Sequence, residues 1–451
     1  MNTTTVIMGL GTTGLACARF LAQQGIDILL MDNRPSPPGL ATIQQTLPHI
    51  PYITGYFDAE QLAQAREIII SPGVALSEPS LAAARAAGVP IISEIELFAR
   101  YVNAAVIAIT GSNGKSTVTT LVGMMAEQAG WHVQVGGNLG VPALELLTTP
   151  APDLYVLELS SFQLETTYSL NPKVAVILNI SADHMDRYPD LAAYCAAKQR
   201  IFQGEGIKVI NFDDPQLRAM LSSPDISFSL ECQQATWAIG RHHQQPYIIY
   251  RDAETVTPIL PTAAIYLPGA MMRANVLAAL ALGHAAGLPL PAMLDVVQTF
   301  KGLPHRCAWV TQMNAVDWFN DSKGTNVGAT IAAIEGLERP GQVILIAGGD
   351  GKGADFSALA AVAQQQLKAA ILIGRDAPLI ARALTDRVPL YSASTMQAAV
   401  HTAVTLATAG DAVLLSPACA SFDMFTHYRH RGEVFETAVK QLQAGFPLAR
   451  E

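Results

Sequence analysis

Short apolar runs alternate with amphipathic segments along most of the chain. The first example is TVIMGLGTTGLACARFLAQQGIDILLMDNR (5–34), in which an apolar run leads through a glycine turn into a helical pattern and then into a second apolar run. Apolar runs that alternate with helical segments are typical of parallel sheets covered by helices. We therefore predict an α/β fold with mainly parallel sheets, in which ligands bind at the carboxyl ends of the strands.

The same alternation recurs in three blocks, which predicts three domains. We expect a Rossmann-like domain at residues 1–93, a central domain of the P-loop ATPase type with a mainly parallel sheet at 94–302, and a second Rossmann-like domain at 303–451. Within the central block, the segment 222–263 is rich in Gln and His, and we expect it to be irregular. A Gly-Pro stretch at 300–307 is suited to a linker before the last domain.

Charge and composition narrow the range of partners. The 451 residues carry a net charge of −9 without a cluster of Lys and Arg, so we expect no nucleic-acid partner. The apolar runs fall short of the roughly 18 continuous residues of a membrane span, and the N-terminus lacks a basic signal-peptide region. Five scattered cysteines without a CxxC pair indicate a reducing compartment. We expect a cytoplasmic monomer that does not insert into a membrane.

The segment TGSNGKST (110–117) follows an apolar run and opens a helical pattern, as a phosphate-binding loop does. Its glycines let backbone N–H groups approach phosphate oxygens, and the helix dipole favours the negative charge. Lys115 would reach the β- and γ-phosphates, and Ser116 would hold Mg²⁺. The loop is a variant, since Ile109 stands where the strict motif has its first glycine, and a plain strand-to-helix turn is the alternative. The predicted loop comprises Gly111, Ser112, Asn113, Gly114, Lys115, Ser116 and Thr117.

Acidic and histidine side chains follow the next two predicted strands. Glu158 ends the run DLYVLE, where a carboxylate beside a phosphate loop is suited to Mg²⁺. Asp183, His184 and Asp186 follow the run VAVILNIS, and an imidazole can serve as one ligand of a second metal ion. A solvated loop is the alternative for these three residues. Lys198 lies in the following helical segment and is by itself an ordinary helix lysine.

The opening glycine turn, GLGTTG (9–14), with Asp32 at the end of the second run, fits the dinucleotide-binding fingerprint. Taken literally, this fingerprint predicts a nicotinamide oxidoreductase. The same turn can hold another nucleotide diphosphate, and we favour that interpretation because a separate phosphate loop follows in the next block. The turn SPGVA (71–75) is expected to face the same crevice.

Polar loops follow the predicted strands of the third block. They offer Asp321, Lys323 and Thr325 in FNDSKGTN, Lys352 in GGDGKGADF, and Ser421 in SPACASFDMF. Lysines and hydroxyls on such loops bind carboxylates or phosphates. For each loop alone, solvated turn chemistry is the alternative.

Taken together and in order, these motifs resemble the Mur ligase family of ATP-dependent amide-bond ligases. The resemblance covers nearly the whole chain, and SSFQLE, DHMDRYP and SPACAS are its most specific motifs. They are similar to the members that add D-glutamate to UDP-N-acetylmuramoyl-L-alanine in peptidoglycan precursor synthesis. The resemblance implies an acyl-phosphate mechanism that yields ADP and phosphate, two Mg²⁺ ions, and closure of the third domain onto the second.

The resemblance also implies roles for individual residues. ATP and Mg²⁺ would be bound by Lys115, Ser116 and Glu158, together with Asn275, Arg306 and Asp321 for the adenine, phosphate and ribose. Lys198 would be carbamylated and, with His184, would help to hold the second Mg²⁺, while Lys323 would lie near the transferring phosphate. The sugar nucleotide would be bound by Thr12, Thr13, Asp32, Asn33, Arg34, Gly73, Asn138 and His184. D-glutamate would be bound by Thr325, Lys352, Ser421, Phe422 and Tyr428. Met271 and Met272 depart from the family pattern, which has His-Asn before Asn275.

Three other functions remain open at this point. A folylpolyglutamate-type ligase shares the fold but acts on a pterin conjugate. A nicotinamide oxidoreductase would explain the first block alone, and a nucleotide-dependent switch would explain the second block without ligase chemistry.

Overall fold

The structure, a computed structural model, describes residues 4–445 apart from 222, 268 and 338–340. Within these residues the strands form three sheets of five, nine and six strands, which follow one another along the chain. Each sheet is covered by helices, so the α/β class with mainly parallel sheets is confirmed. Among the described residues, no helix has both the length and the apolar character that a membrane span requires.

The first sheet is parallel, with strand order β3-β2-β1-β4-β5. The order in which the chain adds strands reverses between β1 and β4, and ligands of open α/β sheets bind in the crevice at such a point. The strands are β1 (Thr5–Met8), β2 (Ile28–Asp32), β3 (Tyr52–Thr54), β4 (Glu67–Ile70) and β5 (Ile91–Ile92), and the helices are α1 (Thr12–Gln23), α2 (Leu40–Thr46), α3 (Ala59–Ala63), α4 (Leu81–Ala86) and α5 (Glu94–Ala99).

The glycine turn after β1 is packed too closely for side chains. A Cβ on Gly14 would lie 1.9 Å from the carbonyl oxygen of Gly9, and Gly9 itself has φ +96° beside Ser71. Only glycine lets α1 begin so soon after the strand and so close to the loop that follows β4. The first helical turn therefore faces the crevice.

The central sheet has the order β14-β13-β12-β11-β10-β9-β6-β8-β7, with an antiparallel outer part. Its strands are β6 (Ala105–Thr110), β7 (Val133–Gly137), β8 (Leu154–Glu158), β9 (Val174–Ile177), β10 (Ile207–Asn211), β11 (Ile226–Ser229), β12 (Trp237–His242), β13 (Gln245–Arg251) and β14 (Val256–Pro261). Its helices are α6 (Lys115–Gln128), α7 (Ser161–Leu164), α8 (Leu191–Gln199), α9 (Pro215–Met220), α10 (Ala270–Ala286) and α11 (Leu290–Thr299), with 3-10 turns at Ala143–Leu146, Arg200–Phe202 and Thr262–Ala264.

The expectation that 222–263 is irregular is wrong. The described residues of this segment form β11 to β14, in which β12 continues the parallel sheet beside β11, and β13 and β14 extend it as antiparallel neighbours. The turn between β12 and β13 uses positive φ at His243 and Gln244, as tight hairpins do. Polar residues on the exposed faces of these outer strands concealed the strand pattern, because an antiparallel sheet needs only one apolar face.

The third sheet has the order β15-β16-β20-β17-β18-β19, and only its edge strand β15 is antiparallel. Its strands are β15 (Ala308–Met313), β16 (Val316–Asn320), β17 (Val343–Gly348), β18 (Leu367–Ile373), β19 (Leu390–Ser392) and β20 (Ala412–Leu415). Its helices are α12 (Val327–Gly336), α13 (Leu359–Gln366), α14 (Ala377–Leu384), α15 (Met396–Leu406) and α16 (Tyr428–Gly445).

Candidate functional site

The loop between β6 and α6 has the geometry of a phosphate-binding loop. Gly111 and Gly114 adopt φ of +154° and +81°, and α6 begins at Lys115, directly after Gly114. The Lys115 ammonium donates to the carbonyl oxygens of Gly111 at 2.7 Å and Ser112 at 2.9 Å. Burial lowers the pKa of Lys115 to about 8. The loop thus brings a buried amine and a helix N-terminus together.

Glu158 joins this loop from the end of the neighbouring strand β8. Its carboxylate accepts a hydrogen bond from the hydroxyl of Ser116 and one from the amide of Asn138 at 2.6 Å. The guanidinium of Arg306, which comes from the start of the third domain, also contacts the Ser116 hydroxyl. A serine hydroxyl, a carboxylate and an amide meet here, and oxygen ligands of this kind suit Mg²⁺.

His184 follows β9 with a positive φ of +60°. Burial, opposed in part by the charge of Asp183, lowers the pKa of His184 to about 4, so the imidazole is neutral at pH 7. Asp183 is mostly buried and accepts from the Lys352 ammonium at 2.5 Å and from the Asn326 amide at 3.0 Å. Burial would raise the pKa of Asp183, but Lys352 and His184 outweigh it and hold that pKa below its usual value. Asp183 thus connects two domains.

Lys198 is an internal lysine, not an exposed helix residue. It lies on α8 with a side chain that is 1% exposed, and its ammonium donates to Gly111 O at 2.9 Å and stands 4.6 Å from the centre of the Tyr194 ring. Burial and the nearby Lys115 hold its pKa well below the ordinary value. The Lys198 side chain therefore loses its proton more easily than an exposed lysine does.

One cavity of about 270 Å³ brings these residues together. Its walls come from the central domain and from the first loops of the third domain, and burial lowers the pKa of Lys323 in this wall to about 8. The residues singled out in the sequence that line it are Ser112, Asn113, Gly114, Lys115, Ser116, Asn138, Glu158, Asp183, His184, Lys198, Arg306, Lys323 and Thr325. Positive groups surround the carboxylates of Glu158 and Asp183, an arrangement suited to phosphoryl transfer.

A second cavity of about 460 Å³ lies on the other side of the contact between Asp183 and Lys352, and Thr325 also lines it. Two of the residues implied for D-glutamate are therefore brought together here. Ser421, Phe422 and Tyr428 line neither cavity. Ser421 is buried, the Phe422 side chain is 74% exposed, and the ring of Tyr428 lies 4.3 Å from the Lys323 ammonium.

A third cavity, of about 240 Å³, opens beside Asn113 and Gly114 of the phosphate loop. Asn275, on α10, lines it together with Phe228 and Met271, while Met272 packs against the central core. This cavity therefore offers apolar walls and an amide next to the phosphate loop.

Asp321 lies apart from all three cavities. It is buried within the third domain, where its carboxylate accepts from the Ser416 hydroxyl at 2.7 Å and from the Cys307 backbone at 3.1 Å. Burial raises the pKa of Asp321 to about 7. Its oxygens are thus engaged inside the domain in this conformation.

The residues implied for the sugar nucleotide lie at the crevice of the first sheet. Thr12 and Thr13 open α1, and Asn33 is exposed. Asp32 is turned inward, where it accepts from Leu10 N at 2.8 Å and forms two hydrogen bonds with the Arg34 guanidinium. Burial would raise the pKa of Asp32, but these hydrogen bonds hold it below its usual value.

Gly73 lies on the opposite wall of this crevice, and a Cβ built on it would meet no atom within 4 Å. The wall is therefore open at Gly73.

Sequence reasoning gave no role to three residues that connect the domains at the site. These residues are Asp183 and Arg187, in the loop after β9, and Asn326, directly before α12. Their partners lie far away in the chain, so spacing alone carried no signal for them.

Comparison with known families decides between the open interpretations. Residues 3–93 match the model of the Mur ligase MurD-like N-terminal domain, residues 109–283 the Mur ligase middle domain, and residues 305–419 the Mur ligase glutamate ligase domain. The chain belongs to the Mur ligase family. As a Mur ligase it is an ATP-dependent enzyme that forms amide bonds, so the interpretations as an oxidoreductase and as a nucleotide switch are wrong.

Individual relatives of this Mur ligase agree with its family models. The chain is 53% identical to the UDP-N-acetylmuramoylalanine–D-glutamate ligase of Nitrosococcus oceani, over 97% of both chains, and 51% identical to that of Pseudomonas syringae, over 97% of this chain and 98% of the relative. Among solved structures, a pseudomurein peptide ligase type C from Methanothermus fervidus superposes with a TM-score of 0.62 at 17% identity, covering 98% of this chain and all of that one. This structural likeness shows the shared three-domain fold.

Proposed function

We propose that this Mur ligase joins D-glutamate to UDP-N-acetylmuramoyl-L-alanine, with ATP cleaved to ADP and phosphate, in the synthesis of peptidoglycan precursors. The observation that carries the proposal is the 270 Å³ cavity, where the phosphate loop, the strand-end carboxylate and two basic side chains of the third domain converge. The printed names of the two relatives supply the substrates.

The proposed reaction solves a chemical problem in two steps. At pH 7 a carboxylate and an ammonium do not condense, because neither is an effective electrophile or nucleophile. The L-alanyl carboxylate oxygen takes the γ-phosphoryl group, which forms an acyl phosphate and leaves ADP. The deprotonated amine of D-glutamate then attacks the carbonyl carbon, the amide bond forms, and phosphate leaves with the carboxylate oxygen.

The positive groups of the cavity support the first step. Lys115, Lys323 and Arg306 converge from two domains, so together they offset the charge of the transferring phosphoryl group in a site that excludes much of the water. His184 is neutral at pH 7, so its imidazole lone pair can either accept the proton of the D-glutamate amine or ligate Mg²⁺, but not both at once.

Two Mg²⁺ ions fit the oxygen-rich part of the cavity. Mg²⁺ usually keeps several waters and takes one or two carboxylates and substrate phosphates as ligands, so phosphate oxygens and water would complete each coordination shell. Ser116 and Glu158 would hold one ion, and His184 with a carbamylated Lys198 the other. Bound Mg²⁺ supplies charge neutralisation for the phosphates.

The burial of Lys198 supports the proposed carbamylation, because only a neutral amine adds CO₂ and burial lowers the pKa of this amine. We expect Lys198→Ala to lose most activity and to regain part of it with added short carboxylic acids, which replace the carbamate oxygens. Absence of such rescue contradicts the carbamate.

The remaining assignments complete the proposal. The first crevice, with Thr12, Thr13, Asp32, Asn33, Arg34 and Gly73, would bind the uridine diphosphate end. Thr325, Lys352, Ser421, Phe422 and Tyr428 would surround D-glutamate, and Asn275 would contact the adenine. We further propose domain boundaries at 1–93, 94–302 and 303–451, and a monomer that works in the cytoplasm, where ATP and sugar nucleotides are found.

The test is a phosphate-release assay with ATP, Mg²⁺ and UDP-N-acetylmuramoyl-L-alanine. Parallel samples receive D-glutamate, L-glutamate, D-aspartate or meso-diaminopimelate, and the Lys115→Ala variant serves as a control without phosphate binding. We expect phosphate release with D-glutamate alone, accompanied by a new amide product. Equal release with another amino acid, or none with D-glutamate, overturns the proposal.

A further inference from the structure

A single guanidinium crosses from the central domain to the first domain beside the site. Arg187 lies in the DHMDRYP loop, and its side chain is 16% exposed. It donates from Nη1 to the carbonyl oxygen of Pro72 at 2.5 Å and from Nη2 to that of Val74 at 3.1 Å. These two carbonyls flank Gly73, so one side chain forms hydrogen bonds on both sides of Gly73 in the turn that faces the crevice.

Other contacts also hold this turn, which is closed by a hydrogen bond from Val74 N–H to Ser71 O at 2.9 Å. Ser71 donates its backbone N–H to Met8 O at 2.9 Å and its hydroxyl to Gly9 O at 3.1 Å. Gly73 is exposed, with open space where a side chain would stand. The Arg187 guanidinium binds the carbonyls of Pro72 and Val74, so it adds to the turn's own hydrogen bond in setting the orientation of the peptide units around Gly73.

The guanidinium is itself held in place. It stacks 3.9 Å from the centre of the Phe162 ring, and Glu165 accepts a hydrogen bond from Nη2 at 3.4 Å. The same Phe162 ring lies 4.8 Å from the His184 imidazole, and the Arg187 backbone N–H donates to His184 O at 2.9 Å. One turn of chain thus joins a residue of the reaction cavity to the wall of the first crevice.

We propose that Arg187 is a positioning residue, which fixes the 71–75 turn in the orientation that receives the diphosphate end of the sugar nucleotide. This inference rests on the proposed function, because it takes Gly73 as a substrate contact. A planar guanidinium presents two N–H donors in fixed directions, whereas a lysine ammonium is a flexible point charge and does not grip two carbonyls in the same way. The orientation of the turn is therefore prepared before substrate binds.

The experiment compares Arg187→Lys with a matched control, Arg200→Lys. Arg200 also donates to two carbonyls, those of Leu164 and Thr167, and lies over an aromatic ring, but all its partners belong to the central domain. Amide hydrogen exchange of residues 73–75 is measured on each ligand-free protein, and the Kd of UDP-N-acetylmuramoyl-L-alanine and the KM of each substrate are measured separately.

We expect Arg187→Lys to speed exchange in the 71–75 turn and to raise the Kd and KM of the sugar nucleotide about tenfold, the effect of losing one charge-assisted hydrogen bond. The KM values of ATP and D-glutamate should stay within about twofold, because those contacts lie elsewhere. Arg200→Lys should change neither the exchange of the turn nor the Kd of the sugar nucleotide.

Two results overturn the inference. Unchanged exchange in Arg187→Lys removes the positioning role, and faster exchange with an unchanged Kd for the sugar nucleotide removes the link from the turn to this substrate. Failure of the proposed function would look different, because the unmodified protein would then form no amide product whatever its exchange pattern.

Discussion

The two junctions of the central domain are built differently. At the junction with the first domain, one hydrophobic core crosses the boundary and contains Leu10 of the first domain together with Val106 and Tyr155 of the central sheet. At the junction with the third domain, no hydrophobic core of the described residues is shared, since the clusters of the third domain stay within it. Helices α10 and α12 approach each other across this junction, and its side-chain hydrogen bonds join Asp183 to Lys352 and to Asn326.

This difference indicates which junction moves. Separating the first junction would expose a continuous apolar core, which carries a large free-energy cost. Separating the second would expose charged and amide groups to water, which solvates them well, so its net cost is small. We therefore expect the first two domains to remain one unit, while the third domain opens and closes over the reaction cavity.

The largest effect is expected from truncating the shared core. Phe98 is fully buried on α5, and its ring meets that of Tyr155 edge to face at 5.3 Å. Phe98→Ala should lower the free energy of unfolding by about 3–5 kcal/mol, the usual cost of a large cavity. Urea unfolding followed by circular dichroism measures this change.

The matched substitution at the other junction is Asn326→Ser. Serine keeps the N-cap of α12 but loses the amide contacts with Asp183 and Asn113. We expect a loss of less than about 1 kcal/mol. Equal losses for Phe98→Ala and Asn326→Ser would refute the contrast between the junctions.

A pH effect of about 3 kcal/mol is expected at the first junction. Burial raises the pKa of Glu94 from 4.5 to about 7, since its carboxylate has only Leu144 N and a neighbouring backbone N–H as partners. The folded state therefore binds the Glu94 proton more tightly than the unfolded state does. The free energy of unfolding falls as the pH rises from about 4.5 to about 7, and the whole loss is present above about pH 7. In Glu94→Gln this part of the pH dependence should vanish.

Free energies of unfolding at pH 5, 6, 7 and 8 measure this pH effect in both proteins. Parallel curves for the two proteins would show that Glu94 does not carry the effect.

A change in substrate affinity is expected at the second junction. Lys352→Ala removes the ammonium that holds Asp183 and that is proposed to bind D-glutamate, so the KM for D-glutamate should rise about 10- to 100-fold. The KM for ATP and the melting temperature should change little. Lys368→Ala is the control, because Lys368 forms its 2.7 Å ion pair with Asp411 inside the third domain. A uniform loss for all substrates would indicate misfolding instead.

The sequence predicted what local chemistry determines. TGSNGKST requires a strand, a turn with positive φ and a helix, and Lys115 and Glu158 had to meet because the carboxyl ends of adjacent parallel strands lie together. The three-domain α/β fold followed from the same alternation. The sequence did not predict the outer hairpin of β12 and β13, because its strands have one polar face.

The features of the site that the sequence does not predict are contacts between residues far apart in the chain. Nothing in the order of residues shows that Asp183 meets Lys352, that Arg187 reaches Pro72, or that Asp32 turns inward, because these partners are brought together only when the sheets pack. The burial of Lys198 likewise depends on packing, and this burial is what turns an ordinary helix lysine into a candidate for carbamylation.

The central claim is that ATP activates the L-alanyl carboxylate as an acyl phosphate. UDP-N-acetylmuramoyl-L-alanine labelled with ¹⁸O in that carboxylate tests it directly when it is incubated with the protein, ATP, Mg²⁺ and D-glutamate. The account predicts one ¹⁸O atom in each phosphate released, because the carboxylate oxygen leaves with the phosphoryl group. Unlabelled phosphate, released together with amide product, would contradict it.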